Sequence, residues 1–235
     1  MSEGLRTMCM ELLRKELKIN ARKWTENRQN PSEGKVKSIK TIYKNIYFRS
    51  RLEARYAVLF DLLGIKWIYE QKGYQFSDGT KYLPDFYFPD DHSFFEAKGI
   101  MNEKDMDKIT HLINDCGSKV IIGYQSFHFQ VGEAQSYSGG IETEDWSFLA
   151  LCESCGKYSF HGSLLTTCPT CNSVKMSVVA NGTLEFKSSI IENLLNKAIC
   201  FQFDHVTTFD EPLFLKTNHH EITVDQVIKD FDEFF

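Results

Sequence analysis

Residues 81–99 constrain this chain more than any other stretch. Lys81-Tyr-Leu-Pro-Asp-Phe-Tyr-Phe88 and Ser93-Phe-Phe-Glu-Ala-Lys-Gly99 each alternate side to side, and Pro89-Asp90-Asp91-His92 between them has turn composition. A hairpin closed by that turn pairs Phe88 with Ser93 and sets Asp85 directly opposite Glu96. Leu83, Phe86, Tyr87, Phe88, Phe94 and Phe95 put apolar side chains on both faces, which places the hairpin inside a covered sheet. Two carboxylates about 5 Å apart there repel each other and lose hydration. A divalent cation between them relieves both costs, because hard ions such as Mg2+ take oxygen ligands. Lys98, two residues past Glu96, projects from the same face. The competing reading leaves both acids on a solvated face, which a one-residue slip in register would produce.

At 235 residues, 42% hydrophobic and 14% aromatic, the chain has material for one sizeable core and an appended module. No apolar run reaches membrane-spanning length and the N-terminus lacks a signal-peptide pattern, so the expectation is an intracellular, cytoplasmic protein (host cytoplasm if viral) with no membrane partner. The net charge of −5 is unevenly spread. Residues 1–55 hold 14 Lys and Arg against 6 Asp and Glu, or +8, leaving −13 on the remainder. A basic segment leading into a carboxylate pair suits a partner rich in phosphate; a solvated basic helix is the plainer reading.

Four of the seven cysteines form Cys152-Glu-Ser-Cys155 and Cys168-Pro-Thr-Cys171, with 12 residues between the pairs. In an intracellular chain this spacing reads as tetrahedral, structural Zn2+ rather than disulfides. Gly156 and Pro169 suit the tight turns of such sites. Cys9, Cys116 and Cys200 are scattered and read as buried or incidental.

Along the chain, residues 5–19 have helical spacing, 27–34 read as a linker, and Ile39–Phe48 alternates as a strand or short helix. Leu52, Tyr56, Leu59, Phe60 and Leu63 form one helical stripe that Gly64 ends. Lys66–Phe76 reads as a strand closed by Ser77-Asp78-Gly79. Asn102 caps a helix to about Cys116 with Met106, Ile109, Leu112 and Ile113 inward, and Lys119–Tyr124 is a buried strand. Residues 132–145 read as a connector, Ser188 or Ser189 caps a helix to about Cys200, and Asp225–Phe235 is an acidic, aromatic tail. The seven histidines form no ligand spacing.

Helix, three strands, helix, strand, with Glu53 on the helix, Pro84-Asp85 on the second strand and Glu96-Ala97-Lys98 on the third, resembles the PD-(D/E)XK nuclease superfamily. Phe48-Arg-Ser-Arg-Leu-Glu-Ala-Arg-Tyr-Ala57 ahead of the Leu-Pro-Asp-Phe and Glu-x-Lys-Gly strands is most similar to its phage-type endonuclease-like branch, over about 48–124. The resemblance implies an α/β fold (an α+β sandwich): a restriction-endonuclease-like αβββαβ core over 48–131, with a zinc ribbon over 146–184 inserted beside it. A basic N-terminal helical arm over 1–47 and a C-terminal helix with acidic tail over 185–235, packing on the core, complete the expected domains. It further implies Mg2+ (or Mn2+) held by Asp85, Glu96 and the Ala97 carbonyl, and Lys98 orienting the attacking water and stabilising charge on the phosphate. Glu53 would bind a second metal or hydrogen-bond one of its waters. Arg49, Arg51, Arg55 and, more weakly, Lys108 would contact nucleic-acid phosphates, although Arg49 has Glu53 as an alternative partner at i, i+4.

The implied activity is that of a metal-dependent endodeoxyribonuclease, a phosphodiester hydrolase of phage, mobile-element or defence type. Its targets stay open among specific sequences, branched junctions and mobile-element ends, and RNA is a further alternative. The rival class is a non-catalytic or partner-dependent nucleic-acid-binding subunit, docked to a larger complex through the ribbon or the acidic tail. A homodimer that cuts both strands is a third arrangement the family would allow. Fold-level analogy leaves the biological role open.

Overall fold

The structure, a computed structural model, describes residues 38–134, 141–142, 146–163 and 167–203. The helix expected at 5–19, the linker at 27–34, most of the connector and the tail at 225–235 lie outside the described residues. What is described is a mixed α/β protein of several sheets and three helices. None of those helices is long and apolar enough to cross a membrane.

Ile39–Phe48 resolves into a hairpin, β1 (Thr41–Tyr43) and β2 (Ile46–Phe48), turned by Lys44 and Asn45, both at positive φ. That left-handed pair is the geometry a two-residue turn needs to match strand twist. Ser50 then caps α1 (Arg51–Leu62), its hydroxyl accepting from the Glu53 N–H, and Gly64 leaves the helix at φ 64°. The sequence between α1 and the central hairpin differs from expectation. Lys66–Phe76 is two short strands, β3 (Ile68–Tyr69) and β4 (Tyr74–Gln75), broken at Glu70, whose φ is 46°. Lys81–Phe88 is likewise split into β5 (Lys81–Tyr82), which pairs with β4, and β6 (Phe86–Phe88), which joins the main sheet. Pro84 lies at this break, and its ring nitrogen has no proton to give a ladder.

β6 pairs with β7 (Ser93–Lys98) in the expected register: Phe86 with Phe95, Tyr87 with Phe94, Phe88 with Ser93. Asn102 caps α2 (Glu103–Cys116), and its C-terminus ends in left-handed Gly117. The chain returns as β8 (Val120–Tyr124), parallel to β7, and turns back as β9 (Phe129–Gly132), a strand without a clear sequence signal. The main sheet runs β3-β6-β7-β8-β9, and β7–β8 is its single parallel pair.

Period 2 sorts this sheet's side chains to two cores. Phe95 and Ile121 face α1, with Tyr56 and Phe60, while Phe94, Val120 and Ile122 face α2, with Ile109, Leu112 and Ile113. Met106 stays 36% exposed rather than joining that inner face, and Cys116 is exposed. Gly123 is fixed by packing: a Cβ there would come within 2.2 Å of the Phe95 ring and 2.6 Å of Tyr56.

The cysteine-bearing segment folds as a three-stranded sheet, β11-β10-β12, from β10 (Phe148–Cys152), β11 (Tyr158–His161) and β12 (Met176–Asn181). It is not set apart by a spacer. Leu149, Phe160, Val179 and Ala180 belong to the α1-side core, with Phe160 against Phe88, Phe95 and Phe129. Ser188 caps α3 (Ser189–Cys200), whose Ile191, Leu194, Leu195 and Ala198 close the same core.

Candidate functional site

The break at Pro84 leaves Asp85 just before β6, facing Glu96 in β7. Both are 3% exposed. Two main-chain hydrogen bonds lock them reciprocally: the Asp85 N–H donates to Glu96 Oε2 (3.2 Å), and the Ala97 N–H donates to Asp85 Oδ2 (2.8 Å). Each carboxylate keeps its other oxygen for a cationic side chain. Lys98 Nζ sits 2.7 Å from Glu96 Oε1 and 3.2 Å from Asp105 on α2. Arg49 Nη2 sits 2.7 Å from Asp85 Oδ1.

Arg49 thus has a different partner from the one its spacing indicates. Its Nε meets Glu70 Oε1 at 2.7 Å, so the guanidinium bridges Glu70 and Asp85. Only its main-chain N–H reaches Glu53 Oε2 (3.1 Å). Glu70 is brought there by its left-handed backbone, and its N–H donates to the Asp85 carbonyl (2.9 Å). A positive φ in a non-glycine residue costs about 1 kcal/mol and persists where neighbours enforce it.

Glu53 is 6% exposed, not a solvated helix glutamate. Its Oε1 accepts from Ser50 Oγ (2.7 Å), and its Oε2 accepts from the Tyr69 hydroxyl (2.5 Å) and the Arg49 N–H. It therefore completes the α1 cap and reaches Asp85 through its charge alone.

The electrostatics follow from burial. Desolvation first, then Glu96, then Glu53 push Asp85 well above the usual carboxylate range, with the Ala97 N–H and Arg49 offsetting part of this. Burial pulls Lys98 down, but Glu96 and then Asp105 outweigh it and hold the ammonium above its ordinary value. Burial likewise opposes the Arg49 charge, and Asp85 and Glu70 overcome it. Desolvation and then Glu53 raise the Tyr69 hydroxyl, which stays a donor.

Tyr82 completes the cluster and was not foreseen. It is 8% exposed, and its buried hydroxyl has no hydrogen-bond partner of acceptable geometry among the described residues. Burial, followed by the charge and hydrogen-bonding oxygen of Glu96 and then by Asp85 and Asp105, holds that hydroxyl un-ionised. An aromatic hydroxyl three residues before an acid was the only signal available. Tyr69, Glu70 and Asp105 had none.

Three observations bear on whether this cluster could hold a divalent cation. One oxygen of each facing carboxylate is fixed by main chain, the other is directed at positive groups, and the Tyr82 hydroxyl faces Glu96 without a hydrogen bond of good geometry. Asp85, Glu96 and the Ala97 carbonyl are the donors such an ion would use.

Of the expected phosphate contacts, Arg51 and Arg55 lie half-buried on α1; the Arg51 Nε is buried with no hydrogen-bond partner among the described residues. Lys108 Nζ lies 6.0 Å from the centre of the Tyr82 ring. Lys157, beside the first knuckle, is paired with Asp90 in the β6–β7 turn (2.6 Å).

Cys152, Cys155, Cys168 and Cys171 form a second site, their sulfurs all within 4.8 Å of one another. They can hold a metal ion such as zinc. The two knuckles repeat one geometry. The Gly156 N–H donates to the Cys152 carbonyl and the Asn172 N–H to the Cys168 carbonyl (each 2.8 Å), with Gly156 and Asn172 at φ 73° and 57°. Cys152–Cys171 and Cys155–Cys168 are 3.6 Å apart, close to the edge of about 3.8 Å of a tetrahedron built on a 2.3 Å zinc–sulfur bond. Burial pushes the Cys152 thiol up, but the N–H groups of Cys155 and Ser154 draw it down to about 6. The described histidines join neither site: His161 is buried against Ser159, and His111 stacks on Phe76.

No family model, curated protein or solved structure matches this chain.

Proposed function

We propose that the chain is a Mg2+-dependent DNA endonuclease with a PD-(D/E)XK-type core, and that the four cysteines hold a structural Zn2+. The observation that carries this is the meeting of Asp85, Glu96 and Lys98 at one buried point, on neighbouring strands in the register that faces the two acids. The element order supports it as well: α1, an antiparallel run β3-β6-β7, the crossover helix α2, and β8 parallel to β7.

A bound Mg2+ supplies charge to polarise the phosphate and to make a water nucleophilic at neutral pH. The protein's own groups do the rest. Asp85 and Glu96 are held by reciprocal main-chain hydrogen bonds, so they need little reorganisation on taking a cation. Lys98, kept protonated by Glu96 and Asp105, orients the attacking water and offsets negative charge growing on the phosphate. The Tyr82 hydroxyl, held un-ionised beside Glu96, keeps its proton available to the same cluster. Glu53 and Tyr69 fix the main chain of Arg49 at the site's edge.

Incubation of supercoiled, linear and branched DNA with the purified protein tests this. Cutting with Mg2+ that is absent in EDTA, and reduced at least ~100-fold in Lys98→Ala, is the expected result. A folded, zinc-loaded protein that cuts none of these, or cuts equally well as Lys98→Ala, contradicts it.

A further inference from the structure

We propose that Arg49 is an exchangeable occupant of the carboxylate site. It competes with the divalent cation for Asp85 Oδ1, and once displaced it becomes a contact for a nucleic-acid phosphate. This deepens the nuclease reading and rests on it.

The geometry behind it concerns which oxygens remain. Asp85 Oδ2 is committed to the Ala97 N–H, so Oδ1 is the oxygen a cation must share, and Arg49 Nη2 stands 2.7 Å from it. Lys98 holds the corresponding oxygen of Glu96, but it has Asp105 on its other side and its side chain is only 19% exposed. Arg49 is different. Its side chain is 53% exposed, and its second partner, Glu70, is an acid at the site's rim, 28% exposed. The main chain of Arg49 is fixed independently, through its N–H to Glu53 and Tyr69. The guanidinium can therefore leave Asp85 without disturbing the α1 cap. A planar fork that bridges two carboxylates equally suits the two oxygens of a phosphate, which a lysine ammonium does not. Thermodynamic reciprocity follows: whatever draws Arg49 away from Asp85 strengthens cation binding, and the cation strengthens the phosphate contact by the same factor.

The test is Mn2+ binding followed by electron paramagnetic resonance without nucleic acid, on wild type, Arg49→Ala, Arg49→Lys and Asp85→Asn. Arg49→Ala is expected to bind Mn2+ about 10-fold more tightly than wild type. Arg49→Lys, which keeps the charge but loses the fork, is expected to fall between them. Arg49→Ala binding no tighter than wild type overturns the proposal. So does Arg49→Lys matching wild type while Arg49→Ala tightens, because that pattern reports a loss of local charge and not of contact. Wild type and Asp85→Asn taking up Mn2+ alike would overturn the carboxylate site itself, and the nuclease reading with it. As a second readout, Ca2+ is expected to tighten binding of a short fluorescent duplex to wild type several-fold more than to Arg49→Ala; equal gains overturn the handover.

Discussion

The two clusters solve the problem of gathering like groups in opposite ways. At the thiol site two knuckles repeat the same turn, and main-chain N–H groups point at the sulfurs. Among the described residues, no lysine or arginine side chain pairs with them. At the carboxylate site the main chain fixes one oxygen of each acid, and the others rest on Arg49 and Lys98. The first arrangement is closed and suits an ion that stays. The second rests on one enclosed ammonium, Lys98, and one largely exposed guanidinium, Arg49, and on the proposed reading that exposed partner is the one an exchanging ion would displace. The two are mechanically joined, since Lys157 beside the first knuckle holds Asp90, and Lys119 holds Asp91, in the turn between the strands that carry Asp85 and Glu96.

Removing ligands from the two sites should act on stability with opposite sign. Cys152→Ser should have the largest effect. Loss of the bound zinc equivalent should unfold β10–β12, and because Phe160 and Leu149 sit in the shared core, the whole domain should melt at least ~10 °C lower. Scanning calorimetry with a zinc-release assay would measure both; retention of the melting temperature after zinc loss would break the comparison.

His161 sharpens it from the junction between the sheets. Burial, then Lys119, lowers this histidine to about 4, with Asp91 opposing. The unfolded chain titrates near 6.5 and so binds the proton first. Stability present above that pH is lost as pH falls from about 6.5 toward 4, by up to about 3 kcal/mol. Urea unfolding at pH 7 and pH 4.5, compared between wild type and His161→Phe, isolates this loss. An equal loss in the variant would remove His161 as its cause.

Asp85→Asn should have the smallest effect, and the opposite direction. Three buried acids, Glu53, Asp85 and Glu96, share the neighbourhood of two cations. Removing one like charge in EDTA should relieve about 1 kcal/mol, because burial, Glu96 and Glu53 oppose the Asp85 charge more than Arg49 favours it, or a rise of roughly 2–4 °C for a domain of this size. A fall of several degrees would mean that the acids are structural partners of Arg49 and Lys98 and not poised for a cation.

Much of this was legible in the sequence for local reasons. A period of 2 on either side of a polar turn left one register that buried Phe86 and Phe95 together, and it carried Asp85 to Glu96. Asn102, and Ser188 or Ser189, announced two helix starts through short-range capping chemistry. The misreadings are non-local. Alternation continues unbroken through Pro84, so nothing in the pattern showed that Lys81 and Phe88 serve different sheets. Glu70 takes a left-handed turn that its side chain does not favour, and this turn gives Arg49 its second partner. The polar, glycine-containing stretch after β9 reads as a spacer, yet Leu149 and Phe160 return the cysteine-bearing sheet to the common core.

Anomalous scattering most directly tests the claim that this chain carries one closed and one exchangeable cation site. Crystals grown with zinc and soaked in Mn2+ would be measured at the absorption edges of both metals. The expected result is zinc confined to the four cysteines and Mn2+ at the Asp85–Glu96 pair, with the Arg49 guanidinium turned away from Asp85. Zinc at the thiols with no Mn2+ between the acids, and Arg49 still on Asp85 at saturating Mn2+, would contradict it.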